Sequence, residues 1–303
     1  MRPKIPLSPL LLMPLAGCLI GQPGAAYASM IQSSNPVDND HGAWHGPGMM
    51  YVDTVHPGQP PLEPADQPLA RTDANSLKAH QQLLTKRTQG RIDVYFMGDS
   101  ITRRWGTSDR QYADNLQNWN ENFKGWNAAD FGWGGDKTQN MLWRLQQGEL
   151  DGVNPKVIVL MAGTNNIGNL SPADDTEVRA AETVRGVAAV VKELRARAPQ
   201  ATVVLMGITP RSDNIKVMPI VDAANRGLAR LADGHRIRYL NINARLTDGH
   251  GVLLPGMTSD GLHLTAKAYQ LWADALKPIL AQRLGPKAQE DQAPPPSGDP
   301  SAN

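Results

Sequence analysis

Three side chains contributed by distant parts of the chain could together carry out nucleophilic acyl transfer. Ser100 follows the apolar run Tyr95-Phe96-Met97-Gly98-Asp99, while Asp260 and His263 stand three apart in Asp260-Gly261-Leu262-His263. A hydroxyl becomes a nucleophile when a base takes its proton, and the base works best when a carboxylate fixes its tautomer. An Asp and a His at this spacing can face each other in one turn, leaving the second ring nitrogen for Ser100. Taken alone, Asp-x-x-His is also an ordinary surface loop, and Ser100 an ordinary helix cap. An oxyanion would need donors as well. The candidates are the Ser100 N–H, the Gly135 N–H within Gly132-Trp133-Gly134-Gly135-Asp136, and the Asn165 amide within Gly163-Thr164-Asn165-Asn166. Gly134-Gly135 reads equally as a tight turn, and Asn165 as a turn residue. Trp105 and Trp133, beside these loops, can stack on sugar faces or shape an acyl pocket, and suit a core role equally well.

These groups need elements that bring them together. Short apolar runs at Ile92–Met97, Ala128–Phe131, Val157–Met161, Thr202–Met206 and Ile237–Ile242 are mostly continuous, as in strands covered on both faces. Helical patterns alternate with them. One is capped by Thr72 or Asp73 and runs to Thr88, with Leu77, His80, Leu83 and Leu84 on one face; others span Thr138–Gln147, Asp175–Arg197, Val217–Ala232 and Thr265–Arg283. Alternating β and α with short connections predicts a three-layer α/β sandwich in one domain. In such a sheet, functional groups gather beyond the carboxyl ends of the strands. Ser100, Gly135 and Asn165 each follow a predicted strand, and the Asp260–His263 loop can return to the same edge. The motif at Ser100 is not G-x-S-x-G, because Thr102 holds the last glycine position, so a different hydrolase architecture is expected.

Composition sets the outer bounds. A chain of 303 residues with 41% hydrophobic content can bury one substantial core, and the formal charge of +1 gives nucleic-acid binding no support. Arg2 and Lys4 precede an apolar stretch from Ile5 to Ile20, and Ala26-Tyr27-Ala28 supplies a small-x-small cleavage site, so residues 1–28 read as an export leader. The protein is expected in the periplasm or outside the cell. Leu15-Ala16-Gly17-Cys18 also fits a bacterial lipobox, which would attach the chain to a membrane through a lipidated Cys18, the one cysteine present. Residues 29–71, rich in Pro, Gly, Asp and Asn, read as an extended or loosely docked arm, 72–284 as the domain, and 285–303 as a disordered tail too poor in large apolar residues to offset ordering entropy. His41, His45 and His56 match no metal-ligand spacing, and no metal is expected.

Phe96-Met97-Gly98-Asp99-Ser100-Ile101, Gly134-Gly135-Asp136, Gly163-Thr164-Asn165-Asn166 and Asp260-Gly261-Leu262-His263 resemble, in order, the four signature blocks of the SGNH (GDSL-type) hydrolases. The similarity is greatest to the branch of the intracellular platelet-activating-factor acetylhydrolase catalytic subunits, and Leu142-Trp143-Arg144-Leu145 also looks familial. It implies a flavodoxin-like five-stranded parallel sheet, with Ser100 as nucleophile, Gly135 and Asn165 as oxyanion donors, Asp260 and His263 completing the triad, and no cofactor. With the export leader, it points to hydrolysis of a short acyl ester, chiefly acetyl on glycans. A lysophospholipase or broad short-chain esterase is the alternative enzyme, and an inactive glycan-binding protein the alternative of another kind.

Overall fold

In the computed structural model, which describes residues 63–168 and 175–301, five parallel strands run in the order β2-β1-β3-β4-β5. They are β1 (Val94–Gly98), β2 (Ala128–Asp130), β3 (Val157–Met161), β4 (Thr202–Met206) and β5 (Ile237–Leu240). The helices are α1 (Ala74–Lys86), α2 (Ser100–Gly106), α3 (Ala113–Phe123), α4 (Thr138–Gln146), α5 (Thr164–Ile167), α6 (Thr176–Arg197), α7 (Met218–Ala229), α8 (Asn243–Leu246) and α9 (Ala266–Leu284). Strand side chains alternate between two faces. Tyr95, Met97, Ile158, Leu160, Val203 and Leu205 enter one core with α1, α4, α6 and α7. Val94, Phe96, Val157, Val159 and Val204 enter the other, with α2, α3 and α9. Apolar demand on both faces is why the runs read as continuous, and the result is the expected three-layer sandwich.

The strand order places a topological switch between β1 and β3, where a crevice opens at the carboxyl edge. Gly98 pairs in register with Met161 there, so α2 and α5 begin on either side of that crevice. The second core holds an aromatic cluster. Trp105 stacks on Tyr269 with centroids 4.7 Å apart and meets Phe123 edge-on at 4.9 Å. The Tyr269 hydroxyl donates to Ile101 O at 2.5 Å, which fastens α2 to the floor beneath it.

Two sequence expectations need correction. The segment from Gly285 onward is described to Ser301 as an ordered strap. Arg91 N donates to Gln292 O at 2.8 Å, Gln292 N to Asn127 Oδ1 at 2.7 Å, Thr107 Oγ1 to Ser297 O at 3.0 Å, and Asp299 N to Asp109 Oδ1 at 2.6 Å. Hydrogen bonds hold this strap where apolar burial could not. Its prolines lower the entropy cost, because the unfolded segment is already restricted. The start of the ordered fold also lies earlier than residue 72. Thr138 Oγ1 donates to Ala65 O at 2.7 Å and Leu69 N to Gln139 O at 3.0 Å, so the end of the arm is docked on α4. On α1, Asp73 is the cap, and Ser76, Ala79, His80, Leu83 and Lys86 are buried while Leu77 is exposed. Residues 29–62 of the arm, the leader with Cys18, and His41, His45 and His56 lie outside the described residues. Among the described residues, no helix is long and apolar enough to cross a membrane.

Candidate active site

Helix α2 starts where β1 ends. Asp99 caps it, its Oδ1 accepting from Ile101 N at 2.8 Å, which leaves Ser100 in the first turn with an N–H that has no intrahelical acceptor. Asp99 is fully buried, and desolvation raises its carboxyl to about 7, against the Ile101 N–H and with the help of nearby Asp136. The Ser100 hydroxyl is half-buried and faces the crevice from there.

The Ser100 Oγ stands 2.9 Å from His263 Nε2, and His263 Nδ1 stands 2.7 Å from Asp260 Oδ2. The other Asp260 oxygen accepts from the backbone N–H of His263 at 2.8 Å and of Leu262 at 3.1 Å. The loop therefore wraps its own carboxylate, and the carboxylate holds the ring. Burial alone would raise the Asp260 carboxyl, but the hydrogen bonds from His263 and Leu262 outweigh it and hold the group well below the carboxylate range. His263 is lowered from its ordinary value, chiefly by desolvation and further by Arg104, against the opposing pull of Asp260. A neutral imidazole with its Nδ1–H on a carboxylate presents Nε2 as an acceptor to the serine hydroxyl.

This loop is tied at two places. Ser212 N donates to Gly261 O at 2.7 Å, and Gly261 has φ +85° with Asp213 N 2.7 Å from where a Cβ would sit, so a side chain there would be expelled. Arg104 NH1 approaches Asp260 Oδ2 at 3.3 Å. Arg104 lies one helical turn after Ser100, so it links the helix carrying the hydroxyl to the loop carrying the base.

The loop after β2 passes close to Ser100: a Cβ on Gly134 would lie 3.8 Å from the Ser100 Cβ. Gly135 has φ +78° and is exposed. Asp136 behind it is buried and forms a two-pronged ion pair with Arg144, at 2.5 Å and 3.3 Å. Burial raises the Asp136 carboxyl to about 6, and Arg144 pulls it back toward ionisation. Across the crevice, Asn165 Nδ2 donates to Asp136 O at 2.9 Å. A carbonyl can only accept, so this bond fixes which end of the amide is nitrogen and leaves its second N–H for another acceptor. Neighbouring Asn166 accepts from Thr138 N at 3.0 Å and donates to Thr138 Oγ1 at 2.9 Å, which joins the loop after β3 to the start of α4.

Ser100, Gly135, Asn165, Asp260 and His263 thus meet at one edge, as their positions after predicted strands suggested. Neither tryptophan is exposed to stack on a sugar. Trp105 is wholly buried with its Nε1 on Asn118 Oδ1 at 2.9 Å, and Trp133 is buried under the Arg103 guanidinium, 4.6 Å from its ring. Sequence adjacency to a site residue says nothing about side: Trp105 stands five after Ser100 on α2, past the face that carries the hydroxyl. Arg104, Asp136 and Arg144 were not among the sequence candidates for the site. The i,i+4 spacing of Ser100 and Arg104 was a usable signal; for the ion pair the signal was that Asp136 and Arg144 both fall in segments that resemble the family's own. Among the described residues, no cluster of His, Cys, Asp and Glu could hold a metal ion.

A five-stranded parallel sandwich with these groups at its switch point defines the class of α/β ester hydrolases. The chain belongs to the GDSL-like lipase/acylhydrolase family, whose pattern matches residues 96–271. It is 30% identical over 242 residues to the chicken (Gallus gallus) platelet-activating factor acetylhydrolase IB subunit alpha2, covering 76% of this chain and 96% of that one. The human (Homo sapiens) alpha2 subunit is 30% identical over 205 residues, covering 66% of this chain and 81% of that one. Among solved structures, a GDSL-like lipase from Bacteroides thetaiotaomicron superposes with a TM-score of 0.52 at 21% identity, covering 68% of this chain and 98% of that one. That likeness concerns the fold. Together these findings make the protein a carboxylic ester hydrolase.

Proposed function

We propose that the protein is an exported esterase that removes short acyl groups, acetyl above all, through an acyl-enzyme on Ser100. The observation that carries this is the unbroken chain from Ser100 Oγ through His263 to Asp260, at 2.9 and 2.7 Å. His263 takes the serine proton as Ser100 attacks the ester carbonyl. The N–H groups of Ser100 and Gly135 and the Asn165 amide stabilise the oxyanion, and His263 then protonates the leaving alcohol. Water attacks the acyl-enzyme with the same imidazole as base, and carboxylate product leaves.

Two features support the acetyl group and its setting. The relatives at 30% identity are named for acetyl hydrolysis, and the leader read at residues 1–28 favours acetyl esters outside the cytoplasm, such as O-acetyl groups on glycans. Trp105 and Trp133 lend this reading no support, since both are buried. The test is acetate release from an aryl acetate by wild type and Ser100→Ala, followed by acetylated polysaccharides and lysophospholipids side by side. Serine-dependent release from polysaccharide is the expected result. Turnover of lysophospholipid alone would overturn the glycan assignment, and turnover that survives Ser100→Ala would overturn the nucleophile.

A further inference from the structure

We propose that Arg71 is a positioning residue that sets the plane of the Gly134–Gly135 peptide and so aims the Gly135 N–H at the oxyanion. The inference rests on the esterase reading above. Arg71 lies before α1, outside the four sequence blocks, in the segment the sequence assigns to the arm. Its NH1 donates to Gly134 O at 2.7 Å and lies 3.7 Å from Asp136 Oδ1. Its Nε donates to Asp73 Oδ2 at 2.8 Å, and the other Asp73 oxygen accepts from Ser76 N at 2.8 Å as the cap of α1. The guanidinium is thereby braced between a helix cap and the loop.

A peptide unit is planar and trans, so its C=O and N–H point in opposite directions. Gly134 O and the Gly135 N–H belong to one such unit, and fixing the first fixes the second. Nothing else local would resist rotation of that plane, since glycine on both sides removes the Cβ that would. A flip would present a carbonyl oxygen where negative charge develops, exchanging a donor for an acceptor. The donors on either side of the glycine pair are committed, Trp133 N to Gly98 O at 3.0 Å and Asp136 N to Trp133 O at 3.2 Å. Among the described residues, the Gly135 N–H meets no acceptor, which leaves it for substrate. A cationic donor on the carbonyl also polarises the peptide and strengthens its N–H as a donor. The Arg71 NH1 stands 2.9 Å from where a Gly135 Cβ would lie, so a side chain there, already strained at φ +78°, would push the guanidinium aside.

The experiment compares wild type, Arg71→Met, Arg71→Lys and Ser100→Ala on an aryl acetate, each checked for folding by thermal unfolding. Outright loss of an oxyanion donor costs ~100- to 1,000-fold, and a peptide free to flip should cost somewhat less, so kcat should fall about 10- to 100-fold in Arg71→Met. KM should stay within about twofold, because the interaction acts on the oxyanion and not on bound ester. The acid limb of the pH profile should stay in place, and Arg71→Lys should recover part of kcat. A folded Arg71→Met with kcat close to wild type, or with its loss confined to KM, overturns the inference while leaving the esterase reading intact. If Arg71→Met does not fold, an Arg71→Lys with undiminished kcat together with an unaltered Asp73→Asn overturns it instead. Absence of serine-dependent turnover in wild type overturns the esterase reading and this inference with it.

Discussion

Replacing Arg104 with Met should move the acid limb of activity toward higher pH. The direction follows from one carboxylate oxygen serving two partners: Asp260 Oδ2 holds His263 Nδ1 at 2.7 Å and Arg104 NH1 at 3.3 Å. The guanidinium repels a protonated imidazole and draws on the negative charge that would stabilise it, so both effects favour the neutral base. Two nitrogens that share an oxygen at those distances are at most about 6 Å apart, and in water two charges at that separation repel by ~0.7 kcal/mol, or ~0.5 pH unit. Arg104 and Asp260 are 24% and 45% exposed at their side chains, so screening trims this toward ~0.3 unit at ordinary ionic strength. The sign for wild type comes first: His263 must be neutral to act, and its value is lowered, so activity should rise with pH at a midpoint below that of an ordinary histidine. In Arg104→Met the midpoint climbs, the plateau above it persists, and about one pH unit below the midpoint the rate falls roughly two- to threefold. The assay is kcat/KM for an aryl acetate between pH 4.5 and 8.5, at low and high salt, with the difference between the enzymes shrinking as salt rises. A limb that moved to lower pH would refute the electrostatic reasoning. So would a limb that stayed put while the plateau dropped, since that would leave Arg104 only a role in holding the loop.

Asn165→Ala should lower kcat ~100- to 1,000-fold with a modest change in KM, because it removes an oxyanion donor and leaves substrate contacts in place; kinetics on the same aryl acetate decide this. Arg144→Met takes from the buried Asp136 carboxylate its hydrogen-bonded partner and leaves only Arg71 at 3.7 Å, so chemical denaturation should report a loss of about 3 kcal/mol. Trp105→Ala should cost a similar ~3–5 kcal/mol in the same measurement as a cavity in the aromatic core. Ending the chain after Gly285 removes the hydrogen bonds of the strap from Arg91, Asn127, Thr107 and Asp109, and calorimetry should show a lower Tm while kcat stays within about twofold, since among the described residues the strap makes no hydrogen bond with Ser100 or His263.

Legibility from sequence followed the strength of the local pattern. Val157–Met161 and Thr202–Met206 form strands with the expected boundaries, because a central strand buried on both faces must be apolar at every position. The start of α1 was legible to within one residue, Thr72 or Asp73, and the structure makes Asp73 the cap. Helix α3 was not anticipated: Ala113–Phe123 is rich in Asn, and only Leu116, Trp119 and Phe123 betray its buried side. Ser100, Gly135 and Asn165 were readable because each follows a strand that must end at the same edge, and Asp260 and His263 because their loop precedes the last helix and can return there. The buried position of Trp105 was not, since which side of a short helix meets the core depends on the neighbour it packs against, here Tyr269 of α9. The strap eluded composition for a related reason. Its bonds join it to backbone and side-chain donors and acceptors distant in the chain, and no local pattern announces such partners.

The two halves of the site are mounted on supports of unequal rigidity. Ser100, Gly135 and Asn165 emerge from the ends of three adjoining strands, β1, β2 and β3, whereas His263 hangs on a loop fastened through Ser212 to Gly261 and through Arg104 to Asp260. On warming, the imidazole can swing out while the sheet beneath stays whole. Such a molecule would fall silent some degrees before it melts, and cooling alone would wake it.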